Sequence, residues 1–161
     1  MALEYLPDGM EVNVPHAERI IELLGGLEGL SSAGTEPPRT ELEFVDVVRA
    51  GLPYRSFEFA TAFLHIKAVD LSRALGLKLR TLARRKDETR LNPTESERIL
   101  RLARVFARAE EILGSEEAAH EWIRTPSRAL GGREPLGVLD TDIGTEAVLN
   151  VLGRIEHGIV S

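Results

Sequence analysis

The stretch from Ala68 to Lys86, AVDLSRALGLKLRTLARRK, constrains the fold more than any other part of this 161-residue chain. It reads as two short helices joined by a tight turn. Leu71 and Leu75 stand four residues apart on one helical face, and Gly76 follows at once as a helix-terminating residue free to take positive φ. Leu77 and Leu82 are the next apolar anchors, and Ser72 is small enough to let two helices cross closely. Between and after these anchors come Lys78, Arg80, Thr81, Arg84, Arg85 and Lys86. This is the pattern of a helix-turn-helix, whose second helix lies in the DNA major groove. Its inner side must be gripped by apolar contacts, and its outer side must meet phosphates and base edges. An ordinary helical hairpin with a solvated basic face shares the pattern.

Charge separates the two readings better than the motif does. The formal net charge of −6 argues against a nucleic-acid partner if averaged over the chain. Its distribution argues the other way. Lys67 to Arg108 hold twelve basic and five acidic residues, while the rest of the chain holds eight and twenty-one. One basic block in an acidic chain makes a directional field, suited to DNA on one side and a different partner elsewhere. Hydrophobic residues make up 43% of the chain and aromatics only 5%, so a largely aliphatic core is expected. Cysteine is absent, which excludes disulfides, thiolate zinc sites and thiol catalysis. No apolar run is long enough to span a bilayer and the N-terminus lacks a signal-peptide pattern, so no membrane role and a cytoplasmic location are expected.

Along the chain the signals are helical throughout, and an all-α fold is expected. Residues 1–39 read as an N-terminal arm and linker. Pro15 opens a helix carrying Ile20, Ile21, Leu23 and Leu24, Gly25-Gly26 stop it, and the Gly-, Ser- and Pro-rich run to Arg39 reads as loop. Residues 40–92 read as the helix-turn-helix domain. Thr40 and Glu43 have capping-box spacing, Leu42, Val45 and Val48 form the expected inward stripe, and Gly51 closes the helix. ELEFVDVV also alternates as a strand would; the cap and the glycine favour helix. Pro53 starts the next helix, with Phe57, Ala60, Phe63 and Leu64 on one side.

Residues 93–114 read as a connecting helix. Asn92 caps it, Pro93 fits its first position, and Ile99, Leu102, Phe106, Ala109 and Leu113 recur at helical spacing. Arg98, Arg101, Arg104 and Arg108 occupy another face, which is either simply solvated or turned to DNA or a second subunit. Residues 115–161 read as a second domain. Ser115 caps a helix ending in Trp122 and Ile123, a loop rich in glycine and proline follows, and Pro135 begins a short helix through Leu139. In the last helix Ile143, Ala147, Val151 and Ile155 fall four apart, with Val148 and Leu152 beside them.

No catalytic pattern emerges. The four histidines are scattered without metal-ligand spacing, and no serine sits in a nucleophile elbow. Gly131-Gly132 lacks the Lys-Ser/Thr of a phosphate loop and reads as a turn. No enzyme, metal site or cofactor is expected.

The C-terminal run carries a resemblance. Trp122-Ile123-Arg124-Thr125-Pro126, Ala129-Leu130-Gly131-Gly132, Pro135-Leu136, Leu139 and Arg154-Ile155-Glu156-His157-Gly158 stand in the order seen in the toxin-binding domain of Xre/MbcA/ParS-type antitoxins. Upstream, SRALGLKLRTLARRK and LNPTESERILRLARVFARAEEIL look like the helix-turn-helix and connecting helix of the same family, so the resemblance spans about Gly51 to Ser161. It implies a type II toxin-antitoxin system. The helix-turn-helix would repress its own operon at operator DNA, and the C-terminal domain would inhibit a RES-domain toxin that consumes NAD. Members pair as homodimers and join larger complexes with the toxin. The family's C-terminal end lies at the mouth of the toxin active site, which here implicates Arg154, His157, Gly158, Ile159, Val160 and Ser161. Trp122, Leu130 and Leu139 frame either a toxin-binding groove or a small satellite core. Two departures are local: Lys67 replaces the usual capping Ser or Thr, and Gly137 stands inside a short element. The competing reading is a stand-alone helix-turn-helix repressor whose C-terminal domain only dimerises.

Overall fold

A computed structural model describes residues 16–32 and 38–159. Among these are nine α-helices and no strand, as expected of an all-α chain. They are α1 (Ala17–Leu23), α2 (Gly26–Ser32), α3 (Glu41–Ala50), α4 (Tyr54–Phe63), α5 (Ala68–Ala74), α6 (Leu79–Glu88), α7 (Pro93–Leu113), α8 (Glu116–Ile123) and α9 (Asp142–Glu156). Two 3-10 turns, Arg128–Leu130 and Leu136–Val138, lie between α8 and α9.

The long helix α7 is the spine. Its 21 residues span about 31 Å at the usual rise. Its start is set locally: Asn92 Oδ1 accepts the Glu95 N–H at 2.8 Å, and Glu95 accepts the Asn92 N–H at 2.7 Å. α1, α3, α4, α8 and α9 all pack against it. Ile99, Leu102, Ala103, Val105, Phe106, Ala107 and Ala109 are buried there.

The first surprise is at the N-terminus. Residues 17–32 are not an arm: Ile20, Ile21, Leu23 and Leu24 of the α1 region are buried in the common core. The stretch after Gly25, expected as linker, forms α2 and buries Leu30 completely. Gly26 and Gly29 are poor helix formers, but burial of one leucine outweighs their propensity. Polar contacts seal the joint. The Ser56 hydroxyl donates to the Leu24 carbonyl at 2.6 Å. Arg19 donates to Glu22, Glu110 and Glu116 at 2.7–2.9 Å and lies 5.6 Å from the Phe63 ring centre. Partial burial works against the Arg19 charge, yet these hydrogen bonds hold its pKa above the ordinary value. Pro15, the expected first residue of α1, lies outside the described residues.

In α3 the Thr40–Glu43 capping box is present, and Gly51 ends the helix at φ 89°. The inward face differs from the expected one. Phe44 and Val47 are buried, whereas Leu42 is 77% exposed and Val45 is also exposed. Both stripes fit a helical period, and the larger phenylalanine wins the core side. α4 follows expectation, burying Phe57 and Ala60, with Leu64 just beyond its end. Phe63 meets Phe106 edge-on at 4.9 Å.

The C-terminal helices are held by the same spine. Ser115 caps α8 through the Ala118 N–H, and Thr141 caps α9 through the Gly144 N–H at 3.0 Å. Leu136, Val148, Val151 and Leu152 join the core that α7 organises. Ile143, expected in the buried row, is 81% exposed. A row spaced by four residues advances about 40° per step, so Ile143 lies about 120° around the helix from Ile155.

The arginine face of α7 turns out to be intramolecular at three of its four positions. Arg98 donates to the carbonyls of Leu75 and Gly76 at 3.1 and 2.6 Å, clamping the turn between α5 and α6. Arg101 donates to the Leu139 carbonyl at 3.1 Å and pairs with Asp142 and Glu97. Arg108 pairs with Glu111 and with Glu156 at the end of α9. Arg104 stays exposed.

Close approach at the start of α9 depends on one glycine. A Cβ on Gly144 would lie 1.9 Å from the Val138 carbonyl oxygen. Gly144→Ala is therefore expected to cost about 1–3 kcal/mol, as overpacking does, because a backbone atom must move. Urea unfolding will show this as a lower midpoint with an unchanged slope.

Candidate nucleic-acid interface and protein-docking end

The helix pair α5–α6 is built as its sequence suggested. Leu71, Leu75, Leu77, Leu82 and Ser72 are buried. Gly76 takes φ 63°, the Leu77 N–H reaches back to the Ser72 carbonyl at 2.7 Å, and the Gly76 N–H reaches Arg73 at 3.1 Å. These two bonds are a Schellman closure of α5, and the C-terminal-side leucine of the motif packs into the core. A Cβ on Gly76 would lie 3.3 Å from the Asp140 side chain, so the turn sits between α7 and the loop before α9.

The expected DNA-facing residues separate into two groups. Lys78, Arg80, Arg84 and Lys86 are exposed, and Thr81 is half-buried. Among the described residues neither Lys78 nor Arg80 has a carboxylate at ion-pair distance. Arg84 has only a 3.5 Å contact with Glu88, and Lys86 only a 3.7 Å contact with Glu58. Arg85 corrects the sequence reading. Its side chain is only 16% exposed, and its Nε donates to Glu95 at 2.9 Å while a terminal nitrogen donates to Glu88. Its hydrogen bonds to the Glu88 and Glu95 carboxylates hold its pKa above the ordinary value. Arg85 thus ties α6 to the first turn of α7 and is not offered to a ligand. The pairing with Glu95 makes the split, since Lys86, four residues after buried Leu82 and as near its side of the helix, stays exposed.

At the other end of the molecule, the tip of α9 is shaped by a second Schellman closure. Gly158 takes φ 69°, its N–H donates to Ile155 at 3.0 Å, and the Ile159 N–H donates to the Arg154 carbonyl at 2.9 Å. His157, Gly158 and Ile159 are exposed, Ile159 by 59%, and Arg154 is half-buried. Val160 and Ser161 lie outside the described residues. Leu139 is fully buried and Leu130 is buried, which corrects their expected place on a docking surface: both are core. Trp122 is half-buried against that core.

A shallow groove of about 470 Å³ opens instead between the first 3-10 turn and the start of α9, lined by Ala129, Arg133, Val138, Asp140, Ile143 and Ala147 among others. Sequence reasoning assigned Ile143 to the buried row and did not single out Arg133. The precession of a four-residue row along α9 was the signal that could have found Ile143.

Comparison with known proteins follows the same division. Residues 43–104 match the family described as the antitoxin Xre-like helix-turn-helix domain. Residues 108–158 match the antitoxin Xre/MbcA/ParS C-terminal toxin-binding domain. The chain is 34% identical over 119 residues to a Yersinia enterocolitica protein named Antitoxin Xre, covering 73% of this chain and 80% of the relative. It is 34% identical over 117 residues to an Antitoxin Xre of Photorhabdus laumondii, covering 71% and 79%. It is also 27% identical over 154 residues to a Sphingobium protein named Prs ADP-ribosylating antitoxin, covering 85% and 97%.

The inward turn of Arg85 has a measurable consequence. Arg85→Ala leaves the buried Glu95 carboxylate without its cation and is expected to cost about 1–3 kcal/mol. Arg80→Ala removes an exposed side chain and is expected to change stability by no more than about 0.5 kcal/mol. Denaturant midpoints of the two variants measure the contrast.

Proposed function

Because the chain belongs to the Xre family of antitoxins, we propose that it neutralises a RES-domain toxin that consumes NAD and represses the operon encoding both proteins. As an antitoxin with a helix-turn-helix domain it has two surfaces to use. Residues 40–92 act on operator DNA, residues 115–161 act on the toxin, and α7 (93–114) connects them. The chain performs no chemistry of its own; it acts in the cytoplasm by occupying the toxin.

The observation that carries the toxin half is the end of α9. Here the Gly158 closure stops the helix and turns Ile159 outward rather than into the core. Arg154, His157, Gly158 and Ile159, continued by Val160 and Ser161, are the proposed plug, with Trp122 supporting its base. The NAD-consuming nature of the toxin is supported by the name of the Sphingobium relative, since ADP-ribosylation takes its ADP-ribose from NAD.

The operator half is supported by the exposed cations at the start and outer side of α6. Lys78, Arg80 and Arg84 form a small positive surface on an otherwise acidic protein, where phosphates would displace counterions. Two copies of the chain, paired as a homodimer, would present two such helices to half-sites about one helical turn of DNA apart. The same dimers would enter a larger complex with the toxin.

Removing residues 156–161 tests the toxin half. Cells producing the toxin with the truncated chain are expected to stop growing, while operator binding by the truncated chain is retained. Continued growth would refute the plug. The operator half is tested by the double substitution Arg80→Ala, Arg84→Ala. It is expected to lower operator affinity and to flatten the dependence of log K on log salt by about one for each phosphate no longer neutralised.

A further inference from the structure

The recognition helix has one surface residue that neither the fold nor phosphate binding explains. Leu79 is the first residue of α6 and is 46% exposed. The core needs nothing from it, since Leu82 already fills the inner side of this helix and is buried. Its neighbours in sequence, Lys78 and Arg80, are exposed cations without carboxylate partners among the described residues. One turn further on, at the i+4 position, Ala83 is exposed as well. The outer face of α6 thus carries an apolar strip, Leu79 and Ala83, beside a cationic strip, Arg80 and Arg84.

Resting on the operator-binding reading above, we propose that Leu79 reads a thymine in the operator through its C5-methyl group, with the flanking cations on the phosphates beside it. In the major groove every base presents hydrogen-bond donors and acceptors, and thymine alone adds an apolar methyl. Leucine has neither donor nor acceptor, so that methyl is the one feature it can bind with gain. Against guanine or cytosine it would strip water from polar edges and return no hydrogen bond, which is unfavourable. Its position suits the task, because the N-terminal residues of a recognition helix are those that reach base edges. A helical side chain also leans toward the helix N-terminus, which carries Leu79 toward the tip of α6. The flanking cations explain why the partner is DNA: a leucine between two exposed positive charges suits an anionic surface with an isolated apolar spot.

The full-length protein first selects its preferred duplex from a randomised DNA library at low salt. In that duplex each thymine is then replaced in turn by deoxyuridine, which removes only the methyl. At one position the replacement is expected to weaken binding by the intact protein about fourfold, the ratio expected for burying one methyl-sized group. The Leu79→Ala protein is expected to bind the thymine and deoxyuridine duplexes equally well at that position. Its melting temperature is expected to match that of the unaltered protein, because Leu79 lies outside the core. The proposal is overturned if no thymine shows sensitivity, or if Leu79→Ala keeps the full effect. A protein that selects no duplex at all would overturn the operator-binding reading and this inference with it, an outcome separate from the other two.

Discussion

The structure depends on α7 being apolar around much of its circumference. A surface helix needs an apolar stripe of about 100°, enough to face one neighbour. The buried residues of α7, from Ile99 through Ala109, cover about 200° when placed at 3.6 residues per turn. That width lets helices from both ends of the chain share one core. Alanines at 103, 107 and 109 keep the surface low where neighbours approach, and Phe106 fills the space toward α4 and α8. The helix-turn-helix and the C-terminal unit therefore lean on the same rod and are not beads on a string.

The polar side of α7 completes the arrangement. Arg98 holds the α5–α6 turn by two backbone carbonyls, while Arg101 and Arg108 hold the loop before α9 and the end of α9. Asp140 also approaches the same turn, at Gly76. Carbonyls and carboxylates thus take up arginines that a reading of charge alone would assign to an outside partner. The basic block from Lys67 to Arg108 is partly neutralised within the fold. What faces solvent without a carboxylate partner at the start of α6 is smaller and sharper, centred on Lys78 and Arg80 among the described residues.

The same sorting explains which site residues sequence reasoning reached. Lys78, Arg80 and Arg84 were legible because the anchors Leu77 and Leu82 define an outside for α6. Arg85 was not, because its partner Glu95 is ten residues away on another helix, and only that pairing turns it inward. Leu130 and Leu139 were read as groove or core, and the meeting of α9 with the 3-10 turns put both in the core. Leu79 passed unnoticed as one leucine among many, since its exposure is a fact of packing.

What the sequence determined by itself was local. The capping box at Thr40, the cap at Asn92 with Pro93, the caps at Ser115 and Thr141, and the glycine at 76 are all satisfied within a few residues, so their geometry is written in short spans of chain. The family's motif order was legible for the same reason. Which face of each helix points inward was decided only in three dimensions. α3 offered two apolar stripes and α9 a row that precesses, and residues 26–32 offered a weak helix that exists only because Leu30 finds a buried seat. Hydrogen bonds of a cap close over three or four residues, but burial is settled by whichever neighbours a helix meets, and those neighbours come from distant parts of the chain.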